Sequence, residues 1–239
     1  MFWKSQVLVC GGTFNTLCFL YDIKANNWSS IPSILTREHF SFRGSTYQEK
    51  IYLADNLYPE VIDPATNSVL SWPVVPISGE YGCMVTWNDS FIYLGGQPNY
   101  NVVLRYSHVT KNWTTLSTST PMQIGKSSCV VLPNLNILVA GSSLSPDYKT
   151  YAVYNVSSNS WPNTTTGFDV HYQSTSVVLS NRVFTITGAS NVVEEYNYNN
   201  NNVTVKPFKM SATRTNMPSA IALPAKMFSH LPGGCIGVM

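Results

Sequence analysis

The sequence predicts an all-β protein, a β-propeller with five recognisable four-stranded blades and a partial sixth repeat. Three observations lead to this fold. One short pattern recurs at a period of 41 to 47 residues, short apolar runs alternate with turn-forming residues, and no segment has the periodicity of an amphipathic helix. A period of this length indicates repeated supersecondary units, each of which buries its faces against its neighbours.

The repeated pattern is an apolar strand that ends in a Gly-containing dipeptide, followed by an aromatic residue and a second marker seven residues later. The clearest copy has Gly95-Gly96, then Tyr106 and Trp113. Two further clear copies have Gly11-Gly12, Tyr21 and Trp28, and Gly141, Tyr154 and Trp161. The degraded copies have Asp55, Ile62 and Val69, and Gly188, Tyr196 and Val203, while the partial sixth is Gly233-Gly234.

The sequence of each unit predicts four short antiparallel strands. In the third unit the strands are expected at 82–87, 91–94, 102–107 and 113–116, with Asn and Asp closing the intervening turns. A four-stranded sheet this short cannot bury both of its faces alone. Radial stacking of such sheets solves the problem, and it gives the Tyr and Trp rings a place between adjoining sheets.

These residues resemble the Kelch family. The Gly-Gly dipeptide and the Tyr-x6-Trp spacing match its signature, and Tyr21-Asp22 and Ile62-Asp63-Pro64 are similar to its Tyr-Asp step. The resemblance covers nearly the whole chain. It departs from the family pattern at Asp55, Val69, Thr187 and Val203. The resemblance implies a β-propeller.

The repeats predict a single domain over 1–239, with the chain a candidate fragment of a longer protein. The chain is expected to start at the second strand of a blade and to end with two further strands, at 218–223 and 226–231. If 218–223 pairs with the opening strand, five blades close the ring. The preferred alternative is an incomplete object of six repeats, whose open sheet edges would invite pairing.

Composition excludes several classes of protein. Charged residues make up only 11% of the chain and the net charge is +2, with no block of Lys or Arg that would bind nucleic acid. No apolar run is long enough to span a membrane. The five cysteines include Cys83 and Cys129 at matching repeat positions, for which buried thiols are expected and a disulfide is the alternative, as it is for Cys10 and Cys18.

The candidate binding residues lie in loops that share one face of the predicted propeller. These loops follow the second strand of each blade or join one blade to the next, and Tyr and Arg in such loops are typical of binding hot spots. The expected partner is a protein segment or a glycan. The candidate residues are Arg37, Tyr58, Glu80, Tyr100, Lys126, Tyr148, His171, Tyr172 and Arg214.

Catalysis has little support in the sequence. The four histidines form no spaced ligand pair, no metal or cofactor site is predicted, and no nucleophile, zinc or phosphate-loop motif is present. Asp22 and Asp63 are expected to close turns, and Glu194 and Glu195 to point to opposite sheet faces. The chain is therefore interpreted as a non-catalytic binding module. The alternative is a carbohydrate-active propeller enzyme similar to galactose oxidase or to a sialate mutarotase.

Six Asn-x-Ser/Thr sequons are present, little more than chance predicts. With the low charge they favour a secreted glycoprotein, and a cytoplasmic protein is the alternative. The six are Asn27, Asn88, Asn112, Asn155, Asn163 and Asn202.

Overall fold

The computed structural model consists of short antiparallel strands. It describes residues 2–3, 6–10, 17–31, 35–36, 43–54, 59–77, 80–116, 119–186 and 188–211. Within these ranges the strands form five four-stranded sheets, and the one helical element is a 3-10 turn at Asp147–Lys149. The predicted all-β propeller with five blades is confirmed.

Each blade is a meander in which consecutive strands pair. Blade 1 contains β1 (Phe2–Trp3), β2 (Gln6–Cys10), β3 (Cys18–Asp22) and β4 (Asn27–Ile31). Blade 2 contains β5 (Arg43–Tyr47), β6 (Lys50–Ala54), β7 (Glu60–Asp63) and β8 (Ser68–Ser71). Blade 3 contains β9 (Cys83–Trp87), β10 (Ser90–Leu94), β11 (Val103–Ser107) and β12 (Asn112–Thr115).

Blade 4 contains β13 (Ser128–Val131), β14 (Ile137–Ala140), β15 (Thr150–Asn155) and β16 (Ser160–Thr166). Blade 5 contains β17 (Thr175–Leu179), β18 (Arg182–Ile186), β19 (Val192–Asn197) and β20 (Asn202–Lys209). The first strands of neighbouring blades touch in the order β5, β9, β13 and β17, so these strands lie innermost.

The opening strand corrects one expectation. The sequence predicted that the chain starts at the second strand of a blade, but β1 pairs with β2 through Phe2 opposite Val7 and supplies blade 1 with its own first strand. A strand of two residues is too short to show the apolar alternation by which strands are recognised. The expected strands at 218–223 and 226–231, and the sixth dipeptide, lie outside the described residues.

The second strand of each inner blade is buried on both faces, which explains its continuous apolar sequence. In β10, Phe91 and Tyr93 pack against blade 2, whereas Ile92 and Leu94 pack against blade 4. The core therefore consists of apolar layers between blades, and each layer depends on two sheets.

The Tyr and Trp markers face each other across the hairpin that joins the third and fourth strands. Tyr21 pairs with Trp28 and Tyr106 with Trp113, with ring centroids 5.0 Å and 5.2 Å apart. Trp113 packs against the core that blades 2 and 3 share, as expected. Trp28 differs because it is 57% exposed. Among the described residues no blade precedes blade 1 to cover it.

The hairpin turn is held by an asparagine that the sequence reading did not single out. Tyr154 donates a hydrogen bond to Asn159 Oδ1 (2.7 Å), and Tyr21–Asn26 and Tyr196–Asn201 repeat the contact at 2.6 Å. Each asparagine has a positive φ, between 50° and 54°. The turns also confirm the expected role of the aspartates, because Asp22 accepts from the Lys24 and Ala25 N–H groups and Asp63 from that of Ala65.

A disulfide joins Cys83 in β9 to Cys129 in β13, with Cα atoms 6.0 Å apart. The buried-thiol interpretation is therefore wrong for this pair, and the alternative holds. Sequence could not decide, because the pairing depends on blades 3 and 4 bringing their innermost strands together. Cys18 is also disulfide-bonded.

The Tyr–Asn contact yields a prediction for stability. Asn159→Ala should lower the free energy of unfolding by about 2 kcal/mol, because alanine tolerates the left-handed backbone of this position less well than asparagine does and offers no acceptor to the Tyr154 hydroxyl. Asn159→Gly keeps the backbone conformation and should lose about half as much. Urea denaturation of both variants measures the difference, and equal losses would contradict the backbone contribution.

Candidate functional site

The candidate site is one surface of the propeller, here called the loop face. It consists of the loops that follow the second strands (95–102, 141–149 and 188–191) and the loops that enter the next blade (72–77 with 80–82, 119–127 and 167–174). Backbone hydrogen bonds join the two sets, because the Ile124 N–H donates to Tyr100 O (2.9 Å) and the His171 N–H donates to Tyr148 O (3.0 Å). The structure thus brings together the two loop sets that the sequence assigned to one face.

The structure describes six of the nine predicted binding residues and brings two of them into ring contact. Tyr148 and Tyr172 come together, with ring centroids 6.4 Å apart and planes tilted by 57°. Glu80 is exposed and pairs through its backbone with Gln97. Tyr100 lies beside Gly125, where an added Cβ would be 3.1 Å from its ring. Arg37, Tyr58 and Arg214 lie outside the described residues. The binding roles of all of these residues remain predictions.

Three equivalent residues at the entrances to blades 3, 4 and 5 form a backbone ladder. Tyr81, Lys126 and Gln173 all have positive φ, between 54° and 62°. The Lys126 N–H donates to Tyr81 O (2.9 Å), and the Gln173 N–H donates to Lys126 O (2.6 Å). The Lys126 ammonium lies 4.6 Å from the centroid of the Tyr81 ring, a cation–π contact. The ladder fixes the spacing of the three loops across the face.

Aromatic rings at the entrance to blade 5 remain accessible. Tyr148 is 38% exposed, and Phe168, on the same loop as Tyr172, is 62% exposed. Sequence reasoning missed Phe168, although its place in an inter-blade loop was a usable signal. We call Tyr148, Phe168 and Tyr172 the aromatic corner.

The charged groups around the aromatic corner are engaged within the protein. Lys149 Nζ donates to Phe168 O (2.9 Å), and Asp147 accepts from the Gln123 N–H (2.8 Å). Asp169 accepts from the Ser190 hydroxyl (2.6 Å). Burial raises the pKa of Asp169, but hydrogen bonds from Ser190 and the Val170 N–H, with the charges of His171 and Lys149, outweigh it and leave the pKa below its usual value. These charges anchor the loops.

Behind the aromatic corner lies a fully buried polar triad of Tyr151, His171 and Glu194. The Tyr151 hydroxyl donates to Glu194 Oε2 (2.9 Å), and His171 Nε2 is 3.4 Å from the same oxygen. The other oxygen, Oε1, accepts from the N–H groups of Phe168 (2.7 Å) and Asp169 (2.8 Å). His171 was predicted as a surface contact, but its side chain is 0% exposed and points into the protein.

The triad holds its carboxylate ionised. Burial raises the pKa of Glu194, but the hydrogen bonds and charge of His171, with donors from Tyr151 and the Asp169 N–H, bring the pKa below its usual value. Burial and the charge of Glu194 hold the pKa of Tyr151 well above its usual value. A buried carboxylate with this many donors is a strong, directional acceptor.

A chain of hydroxyls connects the triad to the innermost strands. Tyr151 is hydrogen-bonded to Thr185, whose hydroxyl is 3.1 Å from that of Ser176. Ser176 is in turn 2.7 Å from Ser128, and Ser174 donates to Ser128 at 3.2 Å. The four hydroxyl residues beyond Tyr151 are all buried, and each has a hydrogen-bond partner in this network. The network therefore links blades 4 and 5 from the third strands to the centre.

The two adjacent glutamates point to opposite faces of β19, as expected. Glu195 accepts two hydrogen bonds from Arg182 (both 2.7 Å) and one from Lys206 (2.7 Å). Hydrogen bonding to Arg182, aided by Lys206, lowers the pKa of Glu195 to about 2. Glu194 faces blade 4, so the two carboxylates form no catalytic dyad.

Within the described residues, no group of three His, Cys, Asp or Glu side chains could hold a metal ion. The same part of the chain contains no helix long and apolar enough to cross a membrane.

Comparisons with known proteins define the fold class. Many solved structures resemble this chain. One of them is YjhT, which matches with a TM-score of 0.63 and 13% sequence identity, over 73% of this chain and 66% of YjhT. The chain therefore spans less than two thirds of YjhT, and at this identity the likeness shows the fold alone. No family model and no curated protein matches the chain.

The lowered pKa of Glu195 yields a prediction for the pH dependence of stability. The pKa of Glu195 is about 2 in the folded protein against a usual 4.5, so its stabilising effect is present above 4.5 and is lost as the pH falls through about 2. Glu195→Gln should cost about 1 kcal/mol or less at neutral pH, because Arg182 is partly exposed, and nothing near pH 2. Denaturant unfolding across this range tests it, and a difference that persists in acid would contradict it.

Proposed function

We propose that the chain is a Kelch-type propeller that acts as a non-catalytic binding module and grips a protein segment or a glycan on its loop face. One observation carries the proposal. The charges around the aromatic corner are satisfied internally, whereas Tyr148 and Phe168 are exposed. Exposed aromatic rings on a rigid scaffold are typical of binding hot spots. The repeat pattern supports the Kelch assignment, and the likeness to YjhT supports the propeller on which it rests.

The internal satisfaction of the charges also bears on the partner. Lys149, Asp147 and Asp169 each have a donor or acceptor within the protein, so a ligand would gain little by pairing with them. Recognition would then rest on contact with ring faces and on neutral hydrogen bonds. Neutral oligosaccharides and uncharged peptide segments have this chemistry, and an acidic or basic partner does not.

The binding proposal predicts the effect of removing the two paired rings. The probe is a printed array of neutral oligosaccharides together with an array of uncharged peptides. Tyr148→Ala and Tyr172→Ala should each weaken the parent's array signal about tenfold or more, because a packed aromatic contact is worth about 1–2 kcal/mol or more in a hot spot. Their melting temperatures should stay near that of the parent.

The control for this experiment is Val109→Ala. Val109 is 79% exposed in the β11–β12 turn, on the side of blade 3 opposite the loop face. This variant should bind as the parent does. Array signals for Tyr148→Ala and Tyr172→Ala that equal the control would show that the aromatic corner is not the binding surface.

A second candidate function is a carbohydrate-active enzyme, and the buried triad is the observation that favours it. A cluster of buried titratable groups behind a surface loop is a common feature of active sites. Within the structure the triad is closed off, with Tyr151, His171 and Glu194 at most 1% exposed. Turnover of the arrayed sugars by the parent, abolished by Glu194→Gln, would favour the enzyme over the binding module.

We also propose that the protein is a secreted glycoprotein. The Cys83–Cys129 disulfide supports an oxidising compartment. Asn27, Asn112 and Asn202 are equivalent, since each is the exposed first residue of the fourth strand of its blade. This end of the blade is opposite the loop face, so glycans there would leave the aromatic corner open.

This glycoprotein proposal is tested by expression through a eukaryotic secretory pathway. Enzymatic removal of N-glycans should lower the mass of the protein, and peptide mass spectrometry should find modified Asn112 and Asn202. Thr114→Ala destroys the sequon but keeps Asn112, so it should remove that glycan alone. Secreted protein with both asparagines unmodified would contradict the proposal.

A further inference from the structure

The junctions between blades are of two kinds, which the strand registers reveal. One position of the third strand is fixed in blades 2 to 5 by its pairing with the equivalent residue of the second strand. It is occupied by Ile62, Tyr106, Tyr154 and Tyr196. The residue two positions earlier in the third strand is therefore equivalent in each blade. That residue is Glu60 in blade 2, Leu104 in blade 3, Ala152 in blade 4 and Glu194 in blade 5.

The loop that enters each blade varies in step with this position. The first strands provide the alignment, because the registers make four of their residues equivalent: Thr46, Thr86, Val131 and Val178. The loop residues that lie ten positions before these four are therefore equivalent as well. They are Thr36 before blade 2, Pro76 before blade 3, Pro121 before blade 4 and Phe168 before blade 5. A proline has no N–H group, whereas Thr36 and Phe168 do.

A buried glutamate occurs where the loop has an N–H group to satisfy. Glu60 Oε1 accepts from the Thr36 N–H (3.2 Å) and from the Thr36 hydroxyl, just as Glu194 Oε1 accepts from the Phe168 N–H. Where the loop has proline, the strand has Leu104 or Ala152 instead, both 0% exposed. Proline and glutamate are thus alternative ways to fix the same loop.

The junctions of blades 3 and 4 and of blades 4 and 5 give the sharpest comparison. The positions of Tyr151, His171 and Glu194 correspond to Val103, Ile124 and Ala152 one blade earlier. Those three are buried in one apolar cluster. The same architecture therefore closes a junction with three apolar residues, and the fold alone does not require the polar triad.

A buried charged group is costly, and a protein that keeps one where an apolar set would serve usually gains something other than stability. Here the gain is control of the loop 167–172. Its Phe168 and Asp169 N–H groups and its His171 ring all meet one carboxylate. At Gly167, an added Cβ would be 2.5 Å from Glu194 Oε2, so the loop lies directly on that carboxylate.

We propose that Glu194 is a positioning residue for the loop face. Its ionised carboxylate, supported by Tyr151 and His171, holds the loop 167–172 in the conformation that sets Tyr172 beside Tyr148 and leaves Phe168 exposed. The proline-fixed loops before blades 3 and 4 are the constant part of the face, and the carboxylate-fixed loop before blade 5 is the part that sets specificity. The specificity clause rests on the proposed binding function, but the positioning role does not.

The first test measures amide hydrogen exchange of Phe168 and Asp169 in the full chain, without any ligand. Glu194→Gln should speed exchange at both amides by about tenfold or more, because charge-assisted hydrogen bonds become weaker neutral ones. Glu195→Gln is the matched control. It lies on the same strand but faces Arg182, so both amides should exchange as in the parent. Unchanged exchange in Glu194→Gln would overturn the proposal.

The second test copies the apolar junction into the polar one with the triple variant Tyr151→Val, His171→Ile and Glu194→Ala. It should fold and melt at or above the temperature of Glu194→Gln, because the three buried side chains are then apolar and the Phe168 and Asp169 N–H groups, which belong to partly or fully exposed residues, can bind water instead. The amides of Phe168 and Asp169 should nevertheless exchange fast, and the signal on the oligosaccharide and peptide arrays should fall about tenfold or more. A triple variant that is unfolded, or that protects both amides as the parent does, would overturn the proposal.

The hydrogen-exchange test and the array test of the tyrosine variants together separate this inference from the proposed function. If Tyr148→Ala and Tyr172→Ala bind as the parent does while Glu194→Gln loosens the loop, the binding function fails and the positioning role stands. If those tyrosines matter for the array signal but Glu194→Gln leaves both amides protected, the binding function stands and the positioning role fails.

Discussion

The whole structure depends on the burial of each second strand between two neighbouring blades. A lone four-stranded sheet would expose both apolar faces of a strand such as β10, at a cost of about 25 cal/mol for each Å² left in water. Phe91 and Tyr93 on one side, and Ile92 and Leu94 on the other, therefore require two partners. Blade stability is shared between neighbours, and the loops that join blades are held at both ends by rigid sheets. That rigidity makes the loop face a fixed surface.

The hairpins that join the third and fourth strands add a second, local interaction. The Tyr hydroxyl and the left-handed Asn close the turn of the third and fourth strands, and the Trp then lies over the Tyr ring. This explains why the two aromatic markers are seven residues apart, since a four-residue turn places them opposite each other. Tyr106 departs from the rule, because Lys111 holds the left-handed position and offers no acceptor for the hydroxyl. The hairpin thus tolerates loss of the Tyr–Asn hydrogen bond when the packing of the Tyr and Trp rings is kept.

Sequence reasoning recovered the fold because the repeat encodes it locally. The strands of blade 3 were expected within one residue of their observed ends, and the described loops of blades 3 to 5 lie on one face as expected. It failed where the answer depends on contacts between blades. His171 was expected at the surface, because a loop histidine beside a tyrosine gives no sign that Glu194, in another strand, captures it. Tyr151 was missed for the same reason. The alternation of Pro and Glu was visible in the sequence, but only the strand registers align the positions that show it.

The disulfide between β9 and β13 has a topological consequence. It closes a covalent ring of the chain from Cys83 to Cys129, a separation of 46 residues that includes most of blade 3 and the loop before blade 4. A single backbone cut anywhere in that ring leaves the two pieces joined through sulfur and still docked in the sheet. The face can therefore tolerate a nick by a protease between 83 and 129 without shedding a fragment, a protection that the loop 167–174 does not share.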